Sequence, residues 1–250
     1  MNFFMPLFIS LLAGLSTLIG IIPIFIKINK NYINKFITFC LSFSIAIMIG
    51  ISITDLIPSS YFSIINKYSL FKGNLVAILA FLLGGWLITL ISSKIDKISL
   101  KKNDLYKLGI LNMIALMLHN LPEGMATFLS SYTNINLGIK LSIAIMLHNI
   151  PEGISIAIPI YYATNSKWLA IKHTLISGLA EPLGAILAFI LFKNLINNLI
   201  ISIILIIVAG IMIFLSINKI FKEIIKYNEY KYIKYGLLVG IIFILLGVIL

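Results

Sequence analysis

Eight stretches of about 20 mostly apolar residues follow one another along this chain, at roughly 3–26, 36–58, 74–93, 108–131, 137–162, 168–192, 195–217 and 233–250. Stretches of that length suit helices that cross the hydrocarbon core of a bilayer. In lipid each backbone N–H and C=O must be satisfied inside the protein, which leaves helices as the spanning form for such runs. The expected fold is therefore an all-α membrane protein, a bundle of eight transmembrane helices. Composition agrees: 60% of the residues are hydrophobic and 11% charged, against about 45–50% and about 25% in soluble domains. These figures exclude a soluble globular enzyme, a disordered chain and a disulfide scaffold. The single cysteine, Cys40, cannot form an internal bridge. All connections are short, so residues 1–250 are expected to form one transmembrane domain. No charged residue precedes the first span, which therefore lacks a signal peptide's basic segment and is expected to be retained.

The net charge is +11, and all 19 basic residues are lysine. Fifteen of them fall in the odd-numbered connections, for example Lys27, Lys30 and Lys35 in the first and Lys219, Lys222 and Lys226 in the seventh. Only Lys67, Lys72, Lys140 and Lys193 fall in the even ones. Cytoplasmic loops collect basic residues. This asymmetry predicts odd connections inside the cell and both termini outside, in the cytoplasmic membrane. The lysines are thereby explained by topology, and no nucleic-acid partner is expected.

Asp96, Asp104, Glu223 and Glu229 sit among those lysines and read as solvated charge. Asp55, Glu123, Glu152 and Glu181 instead fall within spans. An ionised carboxylate at the centre of a membrane helix costs roughly 2.5–3.5 kcal/mol even on lenient scales. Four of them predict an ion or proton path, or a buried cation that they neutralise.

A repeat identifies the place. Residues 117–124 read Met-Leu-His-Asn-Leu-Pro-Glu-Gly, and residues 146–153 read Met-Leu-His-Asn-Ile-Pro-Glu-Gly. The offset is one span plus a short connection, so the copies lie on adjacent, oppositely directed helices near mid-span. Duplication of this kind, an inverted repeat, is how many transporters place a binding site at the membrane midplane. His119 and Glu123 are four residues apart and share a helix face, as do His148 and Glu152. Asn120 and Asn149 point about 100° away. Two facing copies offer two imidazoles and two carboxylates, a donor set suited to zinc and other first-row divalent ions. The asparagines project toward a second centre, which the carboxylates could bridge. Pro122 and Pro151 remove an N–H and crowd the carbonyls of Leu118 and Leu147, which predicts a bent or loosened helix beside each histidine.

These residues resemble the ZIP family of divalent-metal transporters, and within it the bacterial zinc-uptake branch. Asp55-Leu-Ile-Pro58 is similar to the family's second-span signature, and Ser177-Gly-Leu-Ala-Glu181 to its sixth-span motif. The resemblance implies an unevenly split bundle with a binuclear metal site between the fourth, fifth and sixth helices. It implies His119, His148, Glu123 and Glu152 as ligands of the first site. For the second it implies Asn120, Asn149 and Glu181, with Glu123 and Glu152 bridging both. Asp55 would line the first site or its outer approach. One departure is plain: residues 94–107 hold five lysines and no histidine, where many family members carry a histidine-rich loop.

The function so implied is secondary transport of divalent metal into the cytosol. The metal would be Zn2+, with Fe2+, Mn2+, Co2+ and Cd2+ also admitted by a donor set without cysteine. No permanently bound cofactor is expected. The partners are the metal ions and the bilayer, with a homodimer left open. A proton-coupled cation exchanger would use the same carboxylates. An intramembrane metallohydrolase is disfavoured, because the His-Glu-x-x-His arrangement of metalloproteases is absent. His173 and Trp168 read as interfacial residues. Gly14 with Gly20, Ser42/Ala46/Gly50 and Ala180/Gly184/Ala188 offer small faces for helix contact.

Overall fold

The computed structural model describes residues 3–97, 104–191 and 198–249. The turn expected near Lys193 and Asn194, and Lys101 and Lys102 of the third connection, lie outside the described residues. Those residues are helical with short connections, and no strand occurs among them. Helix α1 (Phe4–Ser16) continues as a 3-10 helix over Thr17–Phe25. Helix α2 (Ile33–Ile51) passes through a π-turn at Ser52–Leu56 into α3 (Ile57–Lys67). Then follow α4 (Leu70–Lys97), α5 (Asp104–Thr133) and α6 (Ile135–Thr164). Helices α7 (Lys167–Gly178) and α8 (Ala180–Leu191) share one span. Helix α9 (Asn198–Leu215) runs through a second π-turn, Ser216–Ile220, into the short α10 (Phe221–Ile225), and α11 is Tyr230–Ile249.

Six of these stretches are long and apolar enough to cross a membrane: Phe4–Phe25, Lys30–Lys67, Leu70–Lys94, Gly138–Thr164, Lys167–Leu191 and Ser202–Ile225. The two other expected spans are helices as well, of 30 residues in α5 and 20 in α11. In α5, Asn112, His119, Asn120 and Glu123 dilute the apolar run.

The irregular segments have local causes. Pro23 has no N–H to give, and Gly20 lies against the α6 backbone at Ile150 and Gly153, where a Cβ would find no room. The end of the first span tightens into 3-10 geometry there. Pro58 cannot donate to the carbonyl of Thr54, while the Thr54 and Ser59 hydroxyls donate to Gly50 O and Asp55 O at 2.9 and 2.7 Å. The helix widens over Ser52–Leu56 in response. Pro182 likewise has no N–H for Gly178 O, and α7 gives way to α8 at Leu179. Helix α6 ends at Asn165, whose positive φ of 52° suits the residue after a helix. Pro122 and Pro151 lie inside α5 and α6, which run on as continuous helices through them.

The distribution of polarity is that of a lipid-embedded protein. Outward faces carry large apolar side chains, such as Ile78, Leu82 and Trp86 on α4 and Leu238, Ile242 and Leu245 on α11. Polar residues are inside: Ser10, Thr38, Ser42, Ser44 and Asn112 are all fully buried. Helix α11 packs along α2, α4 along α9, and α5 against both α6 and α8, with α1 touching α5 to α8. The small-residue faces serve these contacts. Gly14 meets Gly178, Gly50 meets Ile244 of α11, and Gly184 meets the Leu121 backbone. An extra Cβ at any of them would collide.

Candidate metal centre

Helices α5 and α6 reverse direction about the single residue Asn134, whose side chain accepts from the N–H of Asn136 at 3.0 Å. They then run side by side. Two equal repeats on such a hairpin are brought level, and the four central side chains converge. Glu123 Oε1 lies 3.1 Å from His119 Nε2 and 3.0 Å from His148 Nε2. His119 Nε2 is also 3.2 Å from Glu152 Oε1. The two imidazole rings stand 6.1 Å apart, centroid to centroid. Ligand atoms of His119, Glu123 and His148 all lie within 4.8 Å of one another.

His119 and Glu152 are fully buried; the His148 side chain is 12% exposed and is the group's opening toward the outside of the packing. Removing carboxylates from water costs several kcal/mol each unless opposite charge and hydrogen bonds offset it. Here the offset from the protein is incomplete. Among the described residues, both Glu152 oxygens, Glu123 Oε2 and His119 Nδ1 have no hydrogen-bond partner of good geometry. A cation would answer that deficit. The nitrogen–oxygen separations of 3.0–3.2 Å are close to the edge of a tetrahedron with metal–ligand bonds near 2.0 Å, about 3.3 Å. His119, Glu123 and His148 lie close enough together to share one ion, and Glu152, outside that group of three, would have to move in to join them.

Asn120, Asn149 and Glu181 are also fully buried. Asn149 Nδ2 donates to Glu181 Oε1 at 2.5 Å and to Ala13 O at 2.9 Å. Asn120 Nδ2 donates to Ser177 O at 3.2 Å. The oxygens Asn120 Oδ1, Asn149 Oδ1 and Glu181 Oε2 remain without donors among the described residues. Glu181 stands in the first turn of α8, and its backbone presses on Gly124, the residue after Glu123. Glycine at that point lets α8 approach α5 at the cluster. Asp55 differs from the rest. It is exposed and sits in the π-turn of the second span; among the described residues no hydrogen bond or ion pair joins it to the cluster, although His148 and Glu123 lie within electrostatic reach.

Residues 93–250 match the family described as ZIP Zinc transporter. A protein named zinc transporter ZupT from Clostridium perfringens is 33% identical over 277 residues, which cover all of this chain and 96% of its own. Its namesake in Chlorobium phaeovibrioides is 38% identical over 259 residues, 98% of this chain and 97% of the relative. That of Oceanobacillus iheyensis is 36% identical, with 96% and 95% covered. The chain belongs to the ZIP zinc transporter family.

ZIP members are transporters, so the hydrolase alternative falls. Around the ZIP signature the structure adds groups that sequence reasoning passed over. The carbonyl of Ala13 brings α1 to the site through Asn149; its only trace in the sequence is the neighbouring Gly14. Thr127, one turn beyond Glu123, and Thr17 are buried with hydroxyls that lack partners among the described residues. His173 Nδ1 is 2.7 Å from Leu169 O with its ring edge-on to Tyr106, and Trp168 is exposed.

Proposed function

We propose that this ZIP protein is a secondary transporter that carries divalent metal, Zn2+ foremost, across the cytoplasmic membrane into the cytosol through a binuclear site at mid-membrane. The observation that carries the reading is the pair of His-Asn-x-Pro-Glu-Gly copies on α5 and α6, whose imidazoles and carboxylates meet in a buried group with unsatisfied oxygens. His119, His148, Glu123 and Glu152 hold the first ion. Asn120, Asn149 and Glu181 hold the second, with Glu123 and Glu152 bridging. Asp55 stands at the approach and offers a carboxylate to arriving cations. The relatives' name, zinc transporter, supports zinc as the cargo. The absence of cysteine from the donor set leaves Fe2+, Mn2+, Co2+ and Cd2+ as further substrates.

In this reading residues 1–250 form one transmembrane domain of eight crossings, with α5 and α11 counted beside the six most apolar stretches and with both termini outside. The two motif helices form the core of an inverted repeat, supported by the reversal at Asn134. Transport needs ligands that bind and let go. The bond from Asn149 to Glu181 and that from Asn120 to Ser177 O give the second ligand set partners to return to when an ion leaves. The test is metal flux into proteoliposomes that hold the full chain, with zinc and each other metal in turn, with and without a pH gradient. Zinc entry that is lost in Glu123→Ala supports the reading. Absence of flux for every metal overturns it.

A further inference from the structure

Helix α6 carries a second proline, Pro159, besides the one in its motif. A proline inside a helix has no N–H for the carbonyl four residues earlier, so Ser155 O lacks its regular donor. Ser155 is fully buried, where a carbonyl left unpaired is costly. Asn112 of α5, also fully buried, donates to this carbonyl from Nδ2 at 2.7 Å. A carbonyl oxygen accepts only, so the amide has to present its nitrogen. Asn112 Oδ1 has no partner among the described residues, so no bond to that oxygen accounts for an amide here. The residue lies two turns before His119 on α5, outside the His-Asn-x-Pro-Glu-Gly motif.

The bond falls one turn beyond Glu152. Ser155 Oγ donates to Glu152 O at 2.7 Å, which links the backbone at Glu152 to the residue that Asn112 holds. On the other side, Ser44 Oγ of α2 donates to Pro151 O at 2.9 Å. Glu152 thus stands between two carbonyls tied to neighbouring helices. Its carboxylate is held less firmly. Oε1 is 3.2 Å from His119 Nε2, and neither oxygen has a hydrogen-bond partner of good geometry among the described residues. Glu152 is also the one of the four central groups that lies outside the close set of His119, Glu123 and His148. The place of its carboxylate is therefore set largely by the backbone of α6.

We infer that Asn112 is a positioning residue for Glu152: it supplies the donor that Pro159 withholds from Ser155 O, and so fixes the stretch of α6 from which Glu152 reaches the metal. The inference rests on the metal site proposed above. Without the amide, α6 has to twist to find Ser155 O another donor, and Glu152 turns with it. Asn112 acts through Glu152 and is not a ligand.

The test is the equilibrium zinc affinity of the purified full chain in detergent, beside thermal melting without metal. Asn112→Leu keeps the branched shape and removes the donor. It should weaken zinc binding about tenfold, the scale of one buried hydrogen bond, and lower the melting temperature. Pro159→Ala gives α6 back an N–H for Ser155 O. In that background Asn112→Leu should change affinity by less than about twofold and melting by less than it does in the wild type. In a Glu152→Gln background Asn112→Leu should add no further loss of affinity, whereas a general loosening of the bundle would. Unchanged affinity in Asn112→Leu overturns the inference. So do losses that multiply in either background, since Asn112 would then serve neither the carbonyl freed by Pro159 nor Glu152. Should Asn112→Leu fail to fold, Asn112→Ala takes its place with the same expectations. A wild-type chain that binds no zinc would defeat the transport reading instead, and the metal-free melting cycle with Pro159→Ala would still decide whether Asn112 serves Ser155 O.

Discussion

Glu123 Oε1 stands within 3.1 Å of two imidazole nitrogens, and His119 Nε2 within 3.2 Å of two carboxylates. Glu123 and His119 therefore each serve two partners, while His148 and Glu152 each rest on one of them, and removal of one group leaves buried charge without compensation. Glu123→Ala alone should reduce initial zinc uptake by at least about tenfold, and Glu152→Ala should do the same. The double variant should be little worse than either, because residues that act as one unit are not additive. Asn120→Ala and Glu181→Ala remove groups bonded to Ser177 O and to Asn149, outside the histidine–glutamate cluster, and they should leave more residual transport. Uptake rates at matched membrane expression decide it; glutamate losses that simply multiply would mean separate action along a path. Protons add a second readout. Imidazole and carboxylate bind metal only when deprotonated, so metal and proton compete. Apparent zinc affinity in detergent should weaken as pH falls from about 7.5 to about 5.5, and affinity that is flat over that range speaks against histidine ligation.

The elements that deliver these residues were legible to unequal degrees. The helix hairpin of α5 and α6 followed from the repeat and its offset, because i, i+4 spacing places His119 and Glu123 on one face whatever the rest of the chain does. The small-residue faces also read correctly as contacts. The 3-10 turn at Thr17–Phe25 did not, since it depends on how closely Gly20 meets α6, a contact distant in sequence. The break at Leu179 was visible only as Pro182, and the π-turn beside Asp55 only as Pro58. The role of Ala13 O was invisible, because a backbone carbonyl has no side-chain signature. At the site α8 packs closely on α5, where Gly124 faces the Glu181 backbone and Gly184 the Leu121 backbone. Gly124→Ala should push α8 outward and carry Glu181 with it. It should cost about 1–3 kcal/mol, the usual scale for overpacking, and lower uptake although no ligand is changed. Thermal unfolding in detergent beside flux checks both; unchanged melting would mean that α8 does not bear on α5 as closely as the geometry has it.

For the whole molecule the governing quantity is the asymmetry of the lysines, and helix α4 offers a ruler for it. Lys72 lies near its start and Lys94 near its end, both exposed, with 22 residues from one to the other. At about 1.5 Å per residue the two are about 33 Å apart along the axis. That matches the hydrocarbon core of a bilayer, about 30 Å thick. If α4 crosses, the two ends face opposite compartments. The excess of lysine in the odd connections assigns the Lys94 end, together with Lys30 and Lys222, to the cytosol. The native thiol of Cys40 is only 5% exposed and gives little background. Single cysteines placed at these sites can therefore be read with an impermeant maleimide on intact cells. Lys72→Cys and Lys140→Cys should react at once, whereas Lys94→Cys, Lys30→Cys and Lys222→Cys should react only after permeabilisation. Labelling of Lys94→Cys without Lys72→Cys would invert the molecule and turn the direction of uptake with it. Labelling of both on intact cells would remove α4 from the membrane and the eight-crossing bundle with it.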